Sequence, residues 1–329
     1  MMKKAAYSQR GPNPAEVISA QDLVLPSPAA GEVQVAVSAA PINPSDVLTL
    51  TGQYGMLPPL PAIGGNEGVG RVAMLGDGVT SLKLGQLVLL PVGCGTWVTH
   101  LNAPAAKLVP LPDGADAEQL SMLSINPPTA ALMLSEFVEL KSGDWVAQNA
   151  ANSAVGAYLN QIAAIRGLHV LNIVRRESAI DDVKASGAQH VLVDGDDLPK
   201  RAQALTGGAK IRLGIDAVGG IATERLARTL AEGATLVNYG AMSGEPCLVS
   251  PGSFVFRDIT LRGFWLALWF RRASAAQQQA LYGQLAMWIA AGKLKARVQA
   301  RFPVERIAEA VALAASGERE GKVLVVPGS

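Results

Sequence analysis

Through the middle of the chain, short apolar runs alternate with longer stretches of helical period. Asp144-Trp145-Val146-Ala147-Gln148-Asn149 reads as a strand, Ala150 to Gly156 as a small-residue turn, the segment to about Arg166 as a helix, and residues 168–174 as a second strand. Further strands are predicted at residues 191–193, 213–217, 234–239 and 259–262. This alternation predicts an α/β arrangement, a doubly wound parallel sheet with helices on both faces. Upstream, to about Pro112, the apolar runs are short and punctuated by Gly and Pro, as at residues 32–37 and 86–90. Such spacing predicts a second, largely antiparallel β domain. From Gln119 a helix-like Ala/Leu/Met segment, interrupted at Pro127-Pro128, leads to Phe137. After Gly263 come helical stretches at 273–291 and 304–316 and a last strand at 322–326, a tail able to return to the first domain. No repeat or low-complexity segment is evident.

The strand-turn-helix-strand run from residue 144 to 176 has the layout of a dinucleotide-binding βαβ unit. In such a unit the turn carries backbone N–H groups and a helix N-terminus up to a pyrophosphate, so small residues are needed where the backbone approaches. Ala151, Ser153 and Gly156 occupy the positions where three glycines are expected, and only the third is Gly. At the end of the second strand an Asp or Glu would bind the ribose of NAD. Arg175 and Arg176 stand there instead. A guanidinium binds a 2′-phosphate in bidentate fashion, so the reading is NADP(H) rather than NAD. The same residues also read as an ordinary βα turn with a solvated Arg pair.

With 329 residues, 49% hydrophobic and 17% charged, the chain is long enough for two domains with real cores. A net charge of +1 supplies no basic field for nucleic acid or anionic lipid. Two cysteines are too few for a disulfide framework, which fits a cytoplasmic setting. Met1-Met2-Lys3-Lys4 is basic, but Tyr7, Ser8, Gln9 and Arg10 interrupt any apolar core, which argues against a signal peptide. The apolar stretch 264–270 is far below membrane-spanning length.

Several strings together resemble a known family. They are Pro41-Ile42-Asn43-Pro44-Ser45-Asp46, Tyr54-Gly55, Gly64-Gly65-Asn66-Glu67-Gly68-Val69, Gly95-Thr96-Trp97, residues 148–156, Tyr239-Gly240-Ala241-Met242, and Arg257 through Trp265. Their order and spacing are similar to the medium-chain dehydrogenase/reductases, in the zinc-free quinone oxidoreductase-like branch, and most closely to the 2-enoyl thioester reductases. The resemblance implies a GroES-like catalytic domain from residues 1–118 and 264–329, and a Rossmann-type NADP-binding domain from 119–263 between them. It also implies a homodimer, pairing near residues 259–262.

Zinc is disfavoured by chemistry as well as by kinship. A catalytic zinc needs three ligands from Cys, His or carboxylate, and the chain has only His100, His169 and His190 with two distant cysteines. Where zinc-bearing relatives carry a ligand Cys and a ligand His, Asn43 and Asn66 stand here. Polarisation of a carbonyl then falls to hydrogen-bond donors. The resemblance implies hydride transfer from NADPH to the β-carbon of a trans-2-enoyl thioester, with Tyr54 as candidate proton donor. A phenol is a reasonable acid at neutral pH. Tyr54 also reads as a loop aromatic packing on a neighbour.

The resemblance carries further contacts residue by residue. Asn126 falls near the nicotinamide half, Asn152, Ser153, Ala154 and Val155 at the pyrophosphate, and Arg175 and Arg176 at the 2′-phosphate. Tyr239, Gly240, Ala241 and Met242, with Phe264, Trp265, Leu266 and Ala267, line the nicotinamide and substrate side, and Lys322 closes on the cofactor from the tail. Asn43, Trp97, Trp265 and Trp269 fall on the substrate side, the three Trp side chains reading equally as an acyl-chain wall and as core. Two departures stand out, Ala154 in place of a typical Gly and Glu177 in place of a second basic residue. The competing functions are an NADPH:quinone oxidoreductase and a non-catalytic NADPH-binding protein.

Overall fold

The alternating segment folds as a six-stranded parallel sheet. In the computed structural model, which describes residues 1–317 and 320–328, its strands are β1 (Trp145–Gln148), β2 (His169–Val174), β3 (His190–Val193), β4 (Ile211–Asp216), β5 (Thr235–Asn238) and β6 (Thr260–Gly263). Their order is β3-β2-β1-β4-β5-β6, with every neighbouring pair parallel. The order reverses between β1, β2 and β4, and in open α/β sheets ligands bind at the carboxyl ends of strands beside such a reversal. Register aligns those ends, since Gln148 lies opposite both Asn172 and Ile215. Buried Ala147, Leu171, Ile173, Ile211, Leu226 and Leu236 form a core beneath the sheet.

By contact density this unit runs from Asn126 to Leu281. Its first helix, Asn126–Met133, contains the two prolines that the sequence pattern suggested as an interruption. Pro127 and Pro128 sit in the first turn, where a missing N–H is not needed for the ladder, so they start the helix instead of breaking it. The stretch beyond β6 also differs from expectation. A short helix, Leu266–Arg272, precedes Ala275–Ala290, with Ser274 between them accepting from the Gln277 backbone.

The other unit comprises Met1–Ile125 and Tyr282–Ser329. Its organising element is the 11-residue strand Glu32–Ile42. That strand pairs antiparallel with Val69–Leu75, with His100–Pro104 and with the C-terminal strand Lys322–Val325. Val298–Phe302, a strand the pattern did not predict, adds to the outside of Lys322–Val325 in parallel. A smaller sheet joins Ser19–Asp22, Lys3–Tyr7 and Ala62–Ile63. The core between them is apolar, with Val33, Val35, Ile42, Leu50, Trp97, Ile307, Val311 and Val323 buried.

Candidate functional site

In the parallel-sheet unit, the turn after β1 is held open by side chains rather than by a full set of glycines. Ala150 takes a left-handed conformation (φ 47°), and Ser153 caps the helix Ala154–Ile165 by accepting from the Gly156 N–H at 3.1 Å. Only Gly fits at 156, because a Cβ there would lie 2.5 Å from the Ala151 carbonyl oxygen. Asn152 is exposed at the tip, Ser153 and Ala154 are half-buried, and Val155 is buried. Tyr239, just past β5, hydrogen bonds with Ser153, and burial raises its phenol above the ordinary range. Gly240, Ala241 and Met242 continue the same edge, the Met242 N–H donating to the Ala217 carbonyl at 3.0 Å. The structure therefore brings Asn152–Val155, Tyr239–Met242 and the end of β2 to one rim of the sheet.

Arg175 and Arg176 follow β2 directly and are exposed. Among the described residues, neither side chain makes a hydrogen bond or ion pair. Two unpaired guanidinium groups beside a tight turn and a helix N-terminus form a site suited to a dinucleotide bearing an extra phosphate. Asn126 is buried at the start of its helix. Phe264 packs edge-on to Phe137 at 6.0 Å, Trp265 lies under the Arg271 guanidinium at 5.3 Å, and Trp269 meets Phe270 edge-on at 5.2 Å. Leu266 and Ala267 open the short helix, half-buried.

One residue of this rim escaped the sequence reading. Asp216, fully buried at the end of β4, accepts from Asn149 Nδ2 at 2.6 Å, the Val218 and Gly219 N–H groups at 2.9 and 3.2 Å, Thr223 Oγ1 at 2.7 Å and Asn238 Nδ2 at 3.0 Å. Asn149 in turn accepts from the Ala217 N–H at 2.8 Å. Asp216 thus ties the ends of β1, β4 and β5 together. Its signal was an Asp at the end of an apolar run, three residues before Gly219-Gly220, both at positive φ.

In the other unit, the helix Pro44–Thr51 organises the site. Asn43 caps it in a reciprocal box with Asp46, whose Oδ2 accepts from the Asn43 N–H at 2.7 Å. The Asn43 side chain donates to Glu67 Oε1 at 2.7 Å and accepts from the Lys322 ammonium, and Asn66 Nδ2 donates to Asp46 Oδ1 at 2.8 Å. Asn43, Asp46, Glu67 and Lys322 are all buried. Burial raises Glu67 to about 7 and Asp46 to about 6, against the pull of the Lys322 charge and the amide donors. Glu67 Oε2 is left without a hydrogen-bond partner.

Tyr54 lies beyond the far end of the same helix, about 12 Å of helix rise from Asn43. Gly52 ends the helix in a left-handed conformation (φ 79°), and the Tyr54 N–H donates back to the Leu48 carbonyl at 3.2 Å. The ring is half-buried in an otherwise exposed loop. A cavity of about 320 Å³ runs along this helix, with Asp46 and Asn66 on its polar side and Met56, Leu57, Ile63 and Trp97 on its apolar side. Trp97 has no solvent exposure and donates from Nε1 to the Pro41 carbonyl at 3.3 Å. Tyr54, Asn43, Trp97 and Lys322 belong to this unit, and the other expected residues to the parallel-sheet unit.

The set at positions 43, 66 and 67 does not suit zinc. Both amides use their NH₂ groups as donors to carboxylates, and the Asn43 oxygen already faces an ammonium. Among the described residues, no group of three or more His, Cys, Asp or Glu is placed to hold a metal.

Comparison with known proteins agrees with this architecture. Residues 29–113 match the alcohol dehydrogenase GroES-like domain, and residues 154–280 match the family described as zinc-binding dehydrogenase. A human enoyl-[acyl-carrier-protein] reductase, mitochondrial, is 38% identical over 310 residues, covering 92% of this chain and 83% of the relative. Among solved structures, an NADPH:quinone reductase from Bacillus thuringiensis, described as putative, superposes with a TM-score of 0.89 at 27% identity, covering 99% of both chains. The Etr1p complex with NADP and crotonyl-CoA gives a TM-score of 0.88 at 26% identity, again covering 99% of both. The chain belongs to the medium-chain dehydrogenase/reductases, in the zinc-free quinone oxidoreductase-like branch that includes the 2-enoyl thioester reductases.

Proposed function

We propose that this protein is an NADPH-dependent oxidoreductase that reduces trans-2-enoyl thioesters. The observation that carries the reading is the 38% identity with an enoyl-[acyl-carrier-protein] reductase across nine tenths of the chain. When bound, NADPH supplies the hydride, delivered to the β-carbon of the conjugated thioester. The protein's share is placement and charge. Arg175 and Arg176 would receive the 2′-phosphate, while the N–H groups of Asn152, Ala154 and Val155 would face the pyrophosphate, the Ser153 N–H being held by the Ala150 carbonyl. Tyr54 holds the proton that reaches the α-carbon once negative charge has developed on the thioester oxygen. The Trp97 side of the cavity forms part of the substrate surface, and Asn43, buried between Glu67 and Lys322, is assigned to it by the resemblance.

Absorbance-monitored NADPH oxidation with crotonyl-CoA and with a naphthoquinone in parallel, NADH serving as cofactor control, tests the reading. Thioester turnover with NADPH preferred is the expected result, and Tyr54→Phe lowers that turnover at least about 100-fold while leaving NADPH affinity unchanged. Turnover of the quinone alone moves the protein to the second reading, an NADPH:quinone oxidoreductase, which the Bacillus thuringiensis neighbour favours. Tight NADPH binding with neither substrate consumed favours the non-catalytic alternative.

The free edge of β6 supports a homodimer by strand pairing, which sedimentation velocity checks. Among the described residues no helix is long and apolar enough to cross a membrane. A cytoplasmic setting is the proposal, although the curated relatives are mitochondrial enzymes, so fractionation of the source cells decides the compartment.

A further inference from the structure

The loop that carries Tyr54 runs from Gly52 to Pro61 and is exposed along most of its length. A proton donor on such a segment needs an anchor, because misplacement by about 1 Å can cost roughly a hundredfold in rate. The anchor comes from outside the loop. Arg10, 48 residues away in sequence, donates from its guanidinium to the Pro58 carbonyl on the far side of Tyr54. Its aliphatic stem lies against Gly52 on the near side, where an added Cβ would sit 3.4 Å from the Arg10 Cδ. The guanidinium also hydrogen bonds with the buried Tyr7 hydroxyl, and Tyr7 lies on the central strand of the small sheet. The adjoining Gly11 N–H donates to the Leu50 carbonyl at 3.2 Å, fastening the same segment to the end of the helix. One side chain therefore links both flanks of the Tyr54 loop to a rigid sheet.

We infer that Arg10 is the positioning residue for Tyr54, holding its hydroxyl where the α-carbon of the substrate is to be protonated. The inference rests on Tyr54 being the proton donor. A guanidinium suits the task because it reaches a carbonyl and a hydroxyl at once, whereas an ammonium on a flexible stem holds one of them well.

The test is a double-mutant cycle between Arg10 and Tyr54, read on crotonyl-CoA reduction by NADPH. Arg10→Met keeps the stem beneath Gly52 and removes the guanidinium. It is expected to lower kcat roughly ten- to a hundredfold, with NADPH affinity and the circular dichroism spectrum unchanged. Arg10→Lys recovers part of that loss. In the Tyr54→Phe background, Arg10→Met is expected to cause no further loss, because the group it places is already gone. Equal losses from Arg10→Met in both backgrounds would overturn the positioning role, as would full activity of Arg10→Met alone. Full activity of Tyr54→Phe would instead remove the proton-donor reading on which the inference rests, so the two failures are distinguishable.

Discussion

Asp216 and Glu67 are both buried with no solvent exposure, one in each unit, yet they are satisfied in opposite ways. Asp216 is surrounded by neutral donors, three of them delivered by its own chain within seven residues, at Val218, Gly219 and Thr223. Glu67 receives the Asn43 amide and the Ser124 backbone, leaves Oε2 without a partner, and takes its nearby positive charge from Lys322, 255 residues further along the chain. A carboxyl group whose donors come from its own turn acts as a scaffold, because fixed dipoles fill its oxygens. A carboxylate with too few donors becomes a titrating group, because burial then outweighs what the neighbours supply.

The sharpest way to break this comparison is Asp216→Ala. It leaves four donors without their acceptor, Asn238 Nδ2 keeping the Gly240 carbonyl, at the rim where the cofactor is proposed to bind, and is expected to cost about 4 kcal/mol or more in urea unfolding and to abolish NADPH binding. A loss under about 1 kcal/mol would show that water replaces the carboxylate and that no scaffold exists.

Lys322→Met should have the next largest effect, about 3 kcal/mol at pH 8, because it leaves two buried acids without their cation. That deficit should shrink toward pH 5, where protonated carboxyls no longer need a counter-charge. A pH-independent deficit would assign Lys322 to packing alone.

Glu67→Gln gives the smallest change and the most informative sign. The folded value near 7 lies above the ordinary 4.5, so the folded chain keeps a proton that the unfolded chain releases. The stability this contributes is fully present below about 4.5 and is lost as pH rises through 7. The Gln variant should therefore match the parent within about 1 kcal/mol at pH 5 and show a flatter stability profile up to pH 8. An unchanged slope would move the titration elsewhere.

The parallel sheet was legible in the sequence because its strands are continuous apolar runs punctuated by turns, and β1, β2 and Gly156 needed only local pattern. Arg175 and Arg176 were legible as an Arg pair at a strand end, though not as a pair without partners. Val298–Phe302 was not, although Val-Gln-Ala-Arg-Phe alternates apolar and polar positions, because the run is only five residues long and its inward positions are only half-buried. Nor was the role of Pro127-Pro128, since the same dipeptide marks a helix break or a helix start depending on where the ladder begins. Asp216 was read only as part of a strand, because its importance lies in the donors that converge on it. Arg10 and Lys322 lay beyond local reading, their partners standing 48 and 279 residues away.

The contact between Lys322 and Asn43 also sets an order of assembly. Residues 126–281 hold a complete sheet and can fold as soon as they leave the ribosome, whereas the unit begun before them stays unfinished until the strand Lys322–Val325 is made. Until then the strand Glu32–Ile42 lacks one of its pairing partners, and Glu67 and Asp46 lack their cation. Residues 1–125 therefore reach their final state only after residues 126–325 have been made, and the edge of the strand Glu32–Ile42 stays open until then.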